Sequence, residues 1–123
     1  MKKILIVDDE PNIVMSLEYA FRKLDFQVFI ARDGEEALDL LANQSVDVVI
    51  LDVMMPKVDG YQTLEGIRNA DHLGHTKVIF LSAKNKASDI EKGLALGADL
   101  YLTKPFSVKK LIESVQALLP SDS

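Results

Sequence analysis

Short apolar runs alternate with stretches of helical periodicity, and this alternation restricts the chain to few folds. Residues 4–7, 28–31, 46–51 and 78–81 are rich in Val and Ile and bounded by polar or turn residues, and residues 100–103 form a weaker fifth run. Neighbouring side chains of a strand point to opposite sides, so continuous apolar runs read as strands buried on both faces. The segments between them read as helices. Pro11 stands at a first helical position, and Ile13, Val14, Leu17, Ala20, Phe21 and Leu24 follow on one face. Asp33 with Glu36 is a capping-box variant ahead of Ala37, Leu38 and Leu41. Leu64 and Ile67 mark a shorter helix; Ile90, Leu94 and Leu96 mark another, ended by Gly97. Ser107 caps the last, with Val108, Leu111, Ile112, Val115, Leu118 and Leu119 as its stripe. Five β-α units in succession predict an α/β domain with a parallel sheet and helices on both faces, joined by right-handed crossovers.

The 123 residues suit one domain, expected over residues 1–119 with a flexible tail at 120–123. With no cysteine, disulfides and thiolate zinc sites are excluded. The net charge of −5 argues against nucleic-acid binding by this domain, since phosphate backbones require a basic patch. No apolar run approaches the roughly 20 residues of a membrane helix. Two lysines and an apolar run at the start resemble a signal peptide, but Asp8, Asp9 and Glu10 end that run too early, so a cytoplasmic location is expected.

Functional groups of an open parallel sheet gather beyond the carboxyl ends of its strands. There the sequence places Asp8-Asp9-Glu10, Asp52, Ser82 and Lys104-Pro105. Crowded carboxylates repel, and a divalent cation offsets that; Mg²⁺ takes one or two carboxylates and completes its shell with water and phosphate oxygens. A remaining carboxylate is a nucleophile able to form an acyl phosphate. Ser82 can hydrogen-bond a phosphoryl oxygen, and Lys104 can ion-pair with one.

The segments Ile4-Leu5-Ile6-Val7-Asp8-Asp9-Glu10, Asp52-Val53-Met54-Met55-Pro56, Asp59-Gly60, Leu81-Ser82-Ala83 and Gly97-Ala98-Asp99 to Thr103-Lys104-Pro105-Phe106 together resemble the receiver domain of two-component response regulators, over about residues 3–119. The resemblance implies a flavodoxin-like (βα)5 fold with five parallel strands ordered 2-1-3-4-5. It implies that Asp52 is the phosphorylated aspartate. Asp9 and Asp52 would be the side-chain ligands of Mg²⁺, with Asp8 acting through water and Met54 lending its backbone carbonyl. Ser82 matches the switch hydroxyl, Lys104 the phosphate-pairing lysine and Tyr101 the aromatic whose rotamer follows phosphorylation. The Lys104–Pro105 peptide is usually cis in such proteins. The function implied is a signalling switch that takes a phosphoryl group from the phospho-histidine of a sensor kinase or phosphotransfer protein. It would catalyse only its own phosphorylation and dephosphorylation. Met54 and Lys84 are expected to prolong the life of the phosphoryl group. Phosphorylation would alter the surface of helix 4, strand 5 and helix 5 toward a downstream partner. The protein is expected as a monomer or a phosphorylation-linked homodimer, although Leu100 stands where dimerising relatives often have a second Asp.

Taken singly, these residues read differently. Asp8 and Asp9 could end a strand and cap the Pro11 helix; Ser82 could be a helix cap, Lys104 a surface lysine and Tyr101 a half-buried strand residue. His72 and His75 lie in a polar stretch and read as solvated loop residues rather than metal ligands. A flavodoxin would need a phosphate loop where this chain has Asp8-Asp9-Glu10, and an aspartyl phosphatase needs an acid where it has Met54. A phosphorylation-independent adaptor usually lacks part of the acidic set or the lysine, all of which are kept here.

Overall fold

The computed structural model describes residues 2–55 and 58–119, so Pro56 and the expected tail at 120–123 lie outside the described residues. Strands β1 (Lys3–Val7), β2 (Gln27–Ala31), β3 (Val48–Leu51), β4 (Lys77–Ser82) and β5 (Leu100–Thr103) form a parallel sheet in the order β2-β1-β3-β4-β5. Helices α1 (Pro11–Lys23), α2 (Gly34–Leu41), α3 (Gly60–Arg68), α4 (Ala87–Ala95) and α5 (Val108–Leu118) connect and follow them. This is the doubly wound order that the resemblance implied.

Alternation along the strands explains why the runs are continuously apolar. Ile4 and Ile6 of β1 pack with Leu17 and Phe21 of α1 and with Leu111 and Val115 of α5. Leu5 and Val7 face the other way, toward Ala37 and Leu41 of α2 and Leu64 and Ile67 of α3. Two cores therefore sandwich the sheet, and fully burying each such Leu, Ile or Phe contributes about 1.5–3 kcal/mol.

The helix ends are set by local chemistry. Asp33 accepts from the Glu36 N–H at 2.9 Å, and the Ser107 hydroxyl accepts from the Lys110 N–H at 3.3 Å. A reciprocal capping box joins Asp59 and Gln62 at the start of α3. Gly97, at φ +111°, stops α4 in the left-handed region that suits glycine. Three expectations need adjusting. β3 begins at Val48, although Val46 is buried before it. Leu24 lies past the end of α1, and Leu94 faces solvent. Leu94 differs because α4 meets the sheet through Gly93 and the half-buried Ile90, leaving Leu94 on the outer side.

Candidate functional site

Strand register assembles the site. Val7 of β1 pairs with Leu51 of β3, so the residues that follow them, Asp8 and Asp52, leave the sheet side by side. Both carboxylates are buried, at 3 % and 5 % exposure. On β5, Thr103 pairs with Ser82, and the Lys104 N–H donates to the Ser82 carbonyl at 2.8 Å. The Lys104–Pro105 peptide is cis.

From there the Lys104 side chain crosses the top of β4. Its Nζ donates to Asp8 Oδ2 at 3.2 Å, Asp52 Oδ2 at 3.2 Å and Glu10 Oε1 at 2.9 Å. The second oxygen of each buried acid is also satisfied: Asp8 Oδ1 accepts from the Glu10 N–H, and Asp52 Oδ1 from the Met54 N–H. Burial pushes the Asp8 carboxyl above the usual carboxylate value, while the Glu10 N–H and Lys104 pull against the rise. Burial likewise works against the Lys104 ammonium, but Glu10, Asp52 and Asp8 outweigh it and hold its pKa well above that of an ordinary lysine. One cation thus balances three acids.

The donor set is chemically suited to a hard cation. One oxygen each from Asp8, Glu10 and Asp52 lies within 4.8 Å of the others, and Mg²⁺ is bound by oxygens of this kind. Asp9, expected as a side-chain ligand, is exposed and stands outside this grouping, beside Pro11, Met15 and Arg32. The chain turns between Asp8 and Glu10, and the Glu10 N–H bonded to Asp8 marks that turn. Glu10, although exposed, brings its carboxylate to Lys104 and into this grouping. Its only sequence signal was its position two residues past Asp8, which is also what a helix start would show.

The acceptor loop is held from beneath. The Gly60 N–H donates to the Val53 carbonyl at 2.9 Å, and a Cβ at Gly60 would lie 2.4 Å from the Asp52 carbonyl oxygen. Glycine is therefore what lets α3 close onto this loop. Beside it, Met54 and Lys84 line one cleft with Val53, Met55, Asp59 and Tyr61.

Ser82 is fully buried, and its hydroxyl accepts from the Lys84 N–H at 3.2 Å. Tyr101 is turned inward at 9 % exposure and donates its hydroxyl to the Lys84 carbonyl at 2.8 Å. Phe80 packs beside its ring at 5.7 Å between centroids. Burial raises the Tyr101 pKa. His72 is not merely a solvated loop residue: its Nε2 meets the Leu41 carbonyl at 2.7 Å, at the end of α2.

A doubly wound parallel sheet, with buried carboxylates and a lysine at its carboxyl edge, defines an α/β protein whose polar site lies beyond the ends of its strands. The chain belongs to the response regulator receiver domain family, whose description matches residues 4–116. It is 44 % identical over 119 residues to the transcriptional regulatory protein CpxR of Escherichia coli strain K12, covering 97 % of this chain and 50 % of that protein. It is 39 % identical to the protein PilG of Pseudomonas aeruginosa, covering 97 % of this chain and 88 % of PilG. This chain therefore spans about half the length of CpxR. Among solved structures, the chemotaxis response regulator CheY4 of Vibrio cholerae superposes with a TM-score of 0.90 at 30 % identity, covering 97 % of this chain and 99 % of that one. The beryllofluoride-activated DrrB receiver domain gives 0.87 at 33 % identity, covering 96 % and 97 %.

Proposed function

We propose that this domain is a phosphorylation-dependent switch of a two-component system and that Asp52 accepts the phosphoryl group. The carboxylate attacks phosphorus, the bond from phosphorus to the donor histidine breaks, and the imidazole leaves with that electron pair. One observation carries the reading: Lys104 Nζ sits within hydrogen-bond distance of both Asp52 and Asp8, although the three come from the ends of different strands.

Asp52, Asp8 and the Met54 carbonyl would hold Mg²⁺, with Asp9 or Glu10 completing the acidic set; the ion would neutralise charge on the transferring group. Lys104, already beside the acceptor, would pair with a phosphoryl oxygen, and the Ser82 hydroxyl would bond another. Met54 lacks any group to orient an attacking water, and Lys84 would shield the product. Both favour slow self-dephosphorylation.

A sensor histidine kinase or phosphotransfer protein would be the donor. The receiver of the signal would be an output domain or separate protein meeting α4, β5 and α5, alone or through a homodimer. No helix among the described residues is long and apolar enough to cross a membrane, and a cytoplasmic setting fits a phospho-histidine donor. A phosphorylation-independent adaptor is not favoured, because the acids and the lysine are all present and Lys104 contacts Asp8, Glu10 and Asp52.

Incubation with acetyl phosphate and Mg²⁺ followed by intact mass tests the reading. The wild type should gain one phosphoryl group and Asp52→Asn none; equal gain by both would place the chemistry elsewhere.

A further inference from the structure

We propose that Tyr61 is a positioning residue of the switch, tying the first turns of α4 to the loop that carries Asp52; the proposal rests on the reading of Asp52 given above. Tyr61 directly follows Gly60, the residue pressed against the Asp52 and Val53 backbone, so its place is set by that loop. Its ring is 8 % exposed and meets Phe80 edge-on at 5.6 Å. The hydroxyl donates to the Asp89 carbonyl at 3.3 Å, and Lys92 Nζ lies 4.2 Å above the ring. Asp89 and Lys92 are three residues apart and share one face of α4, so Tyr61 grips that face at two points.

Packing alone does not require this residue. A phenylalanine would fill the same space without burying a hydroxyl, whose desolvation must be offset by a bond. The hydroxyl reaches a helix carbonyl beside Gly93, where α4 lacks a side chain. A Cβ at Gly93 would sit 2.9 Å from the Tyr101 ring and 3.0 Å from the Phe80 ring. The helix thus rests on three rings, and one of those rings belongs to the acceptor loop's own support.

Lys84 links the grip to phosphorylation. Its N–H meets Ser82 Oγ, its carbonyl accepts from Tyr101, and its Nζ stands 4.0 Å from Asp89 Oδ1. A phosphoryl group on Asp52 competes with Asp89 for Lys84 and draws on the Ser82 hydroxyl. α4 then keeps the contacts of Asp89 and Lys92 with Tyr61 as its hold. Both contacts oppose the rearrangement, and by linkage their removal strengthens binding of a phosphoryl group by the same factor.

The probe is beryllofluoride with Mg²⁺, titrated against the full chain, Tyr61→Phe and Lys92→Met by NMR. Amide exchange over residues 87–95 and acetyl phosphate labelling run in parallel. The expected result is faster exchange in both variants, unchanged final labelling, and beryllofluoride affinity about fivefold higher in Tyr61→Phe, the low end of ordinary coupling between sites. Faster exchange with unchanged affinity in both variants overturns the proposal, because it reduces Tyr61 to packing. A wild type that takes up no phosphoryl group overturns the reading of Asp52, and this proposal with it.

Discussion

Replacing Lys104 with methionine removes the ammonium and keeps most of the apolar stem. Each of its contacts, near 3 Å, has a gross attraction of roughly 5 kcal/mol at an effective dielectric of about 20. Desolvation cancels much of that, so the useful magnitude is the cost of breaking a buried pair, about 3–5 kcal/mol. The Glu10 side chain is 56 % exposed, and that partner contributes little. A loss of about 2–3 kcal/mol is therefore expected at pH 7.5 without Mg²⁺.

The sign with pH follows from Asp8. Its folded pKa lies above the ordinary 3.8, so the folded state binds more protons between the two values. Stability from this group rises as pH falls through the folded pKa and levels off below 3.8. Without Lys104 that pKa climbs further, and the variant should recover part of its deficit at pH 5. In the wild type, the Lys104 contribution is complete below the ordinary 10.5 and fades only as pH rises through its still higher folded value. Urea denaturation followed by circular dichroism at pH 5 and 7.5, with and without Mg²⁺, measures each effect. Mg²⁺ should also stabilise the variant more than the wild type, since the cation replaces the missing charge. Equal stability of the two proteins at pH 7.5, or a deficit that grows at pH 5, would refute the reasoning.

Three other outcomes follow from the geometry. Asp8→Asn should raise stability at pH 7.5 without Mg²⁺, since it removes a buried charge whose ionised form is disfavoured, and should weaken stabilisation by Mg²⁺; denaturation curves with and without the ion check both. Gly60→Ala should cost about 3 kcal/mol, because the new Cβ meets the backbone of Asp52 and Val53, which cannot swing aside; a fall in urea midpoint of less than about 0.5 M would contradict it. Met54→Asn combined with Lys84→Glu should shorten the half-life of the phosphorylated protein about tenfold, a barrier change near 1.4 kcal/mol, and an unchanged half-life counts against the roles given to both residues.

Much of the fold could be read from local pattern. The Val- and Ile-rich runs, Pro11, Asp33, Ser107 and Gly97 each act within a few residues, through strand alternation, capping or backbone conformation, and fall where expected apart from the later start of β3 at Val48. Leu94 did not, because its helical spacing cannot tell which of two neighbouring faces meets the sheet. The capping box at Asp59 and Gln62 is a local signal too, but Asp59-Gly60 serves equally well as a turn and does not by itself mark a helix start.

By itself the sequence determined the order of strands and helices and the identity of the groups at the strand ends, because side-chain periodicity and cap chemistry are local. Strand order had to come from resemblance. Only the tertiary structure decided that Lys104 meets three acids, that Glu10 rather than Asp9 completes their grouping, and that Tyr61 reaches α4. Those facts depend on parallel register, on the turn after Asp8 and on how closely Gly60 and Gly93 let helices approach. All are contacts between residues far apart in the chain or choices among neighbours in a turn, and no local period encodes them.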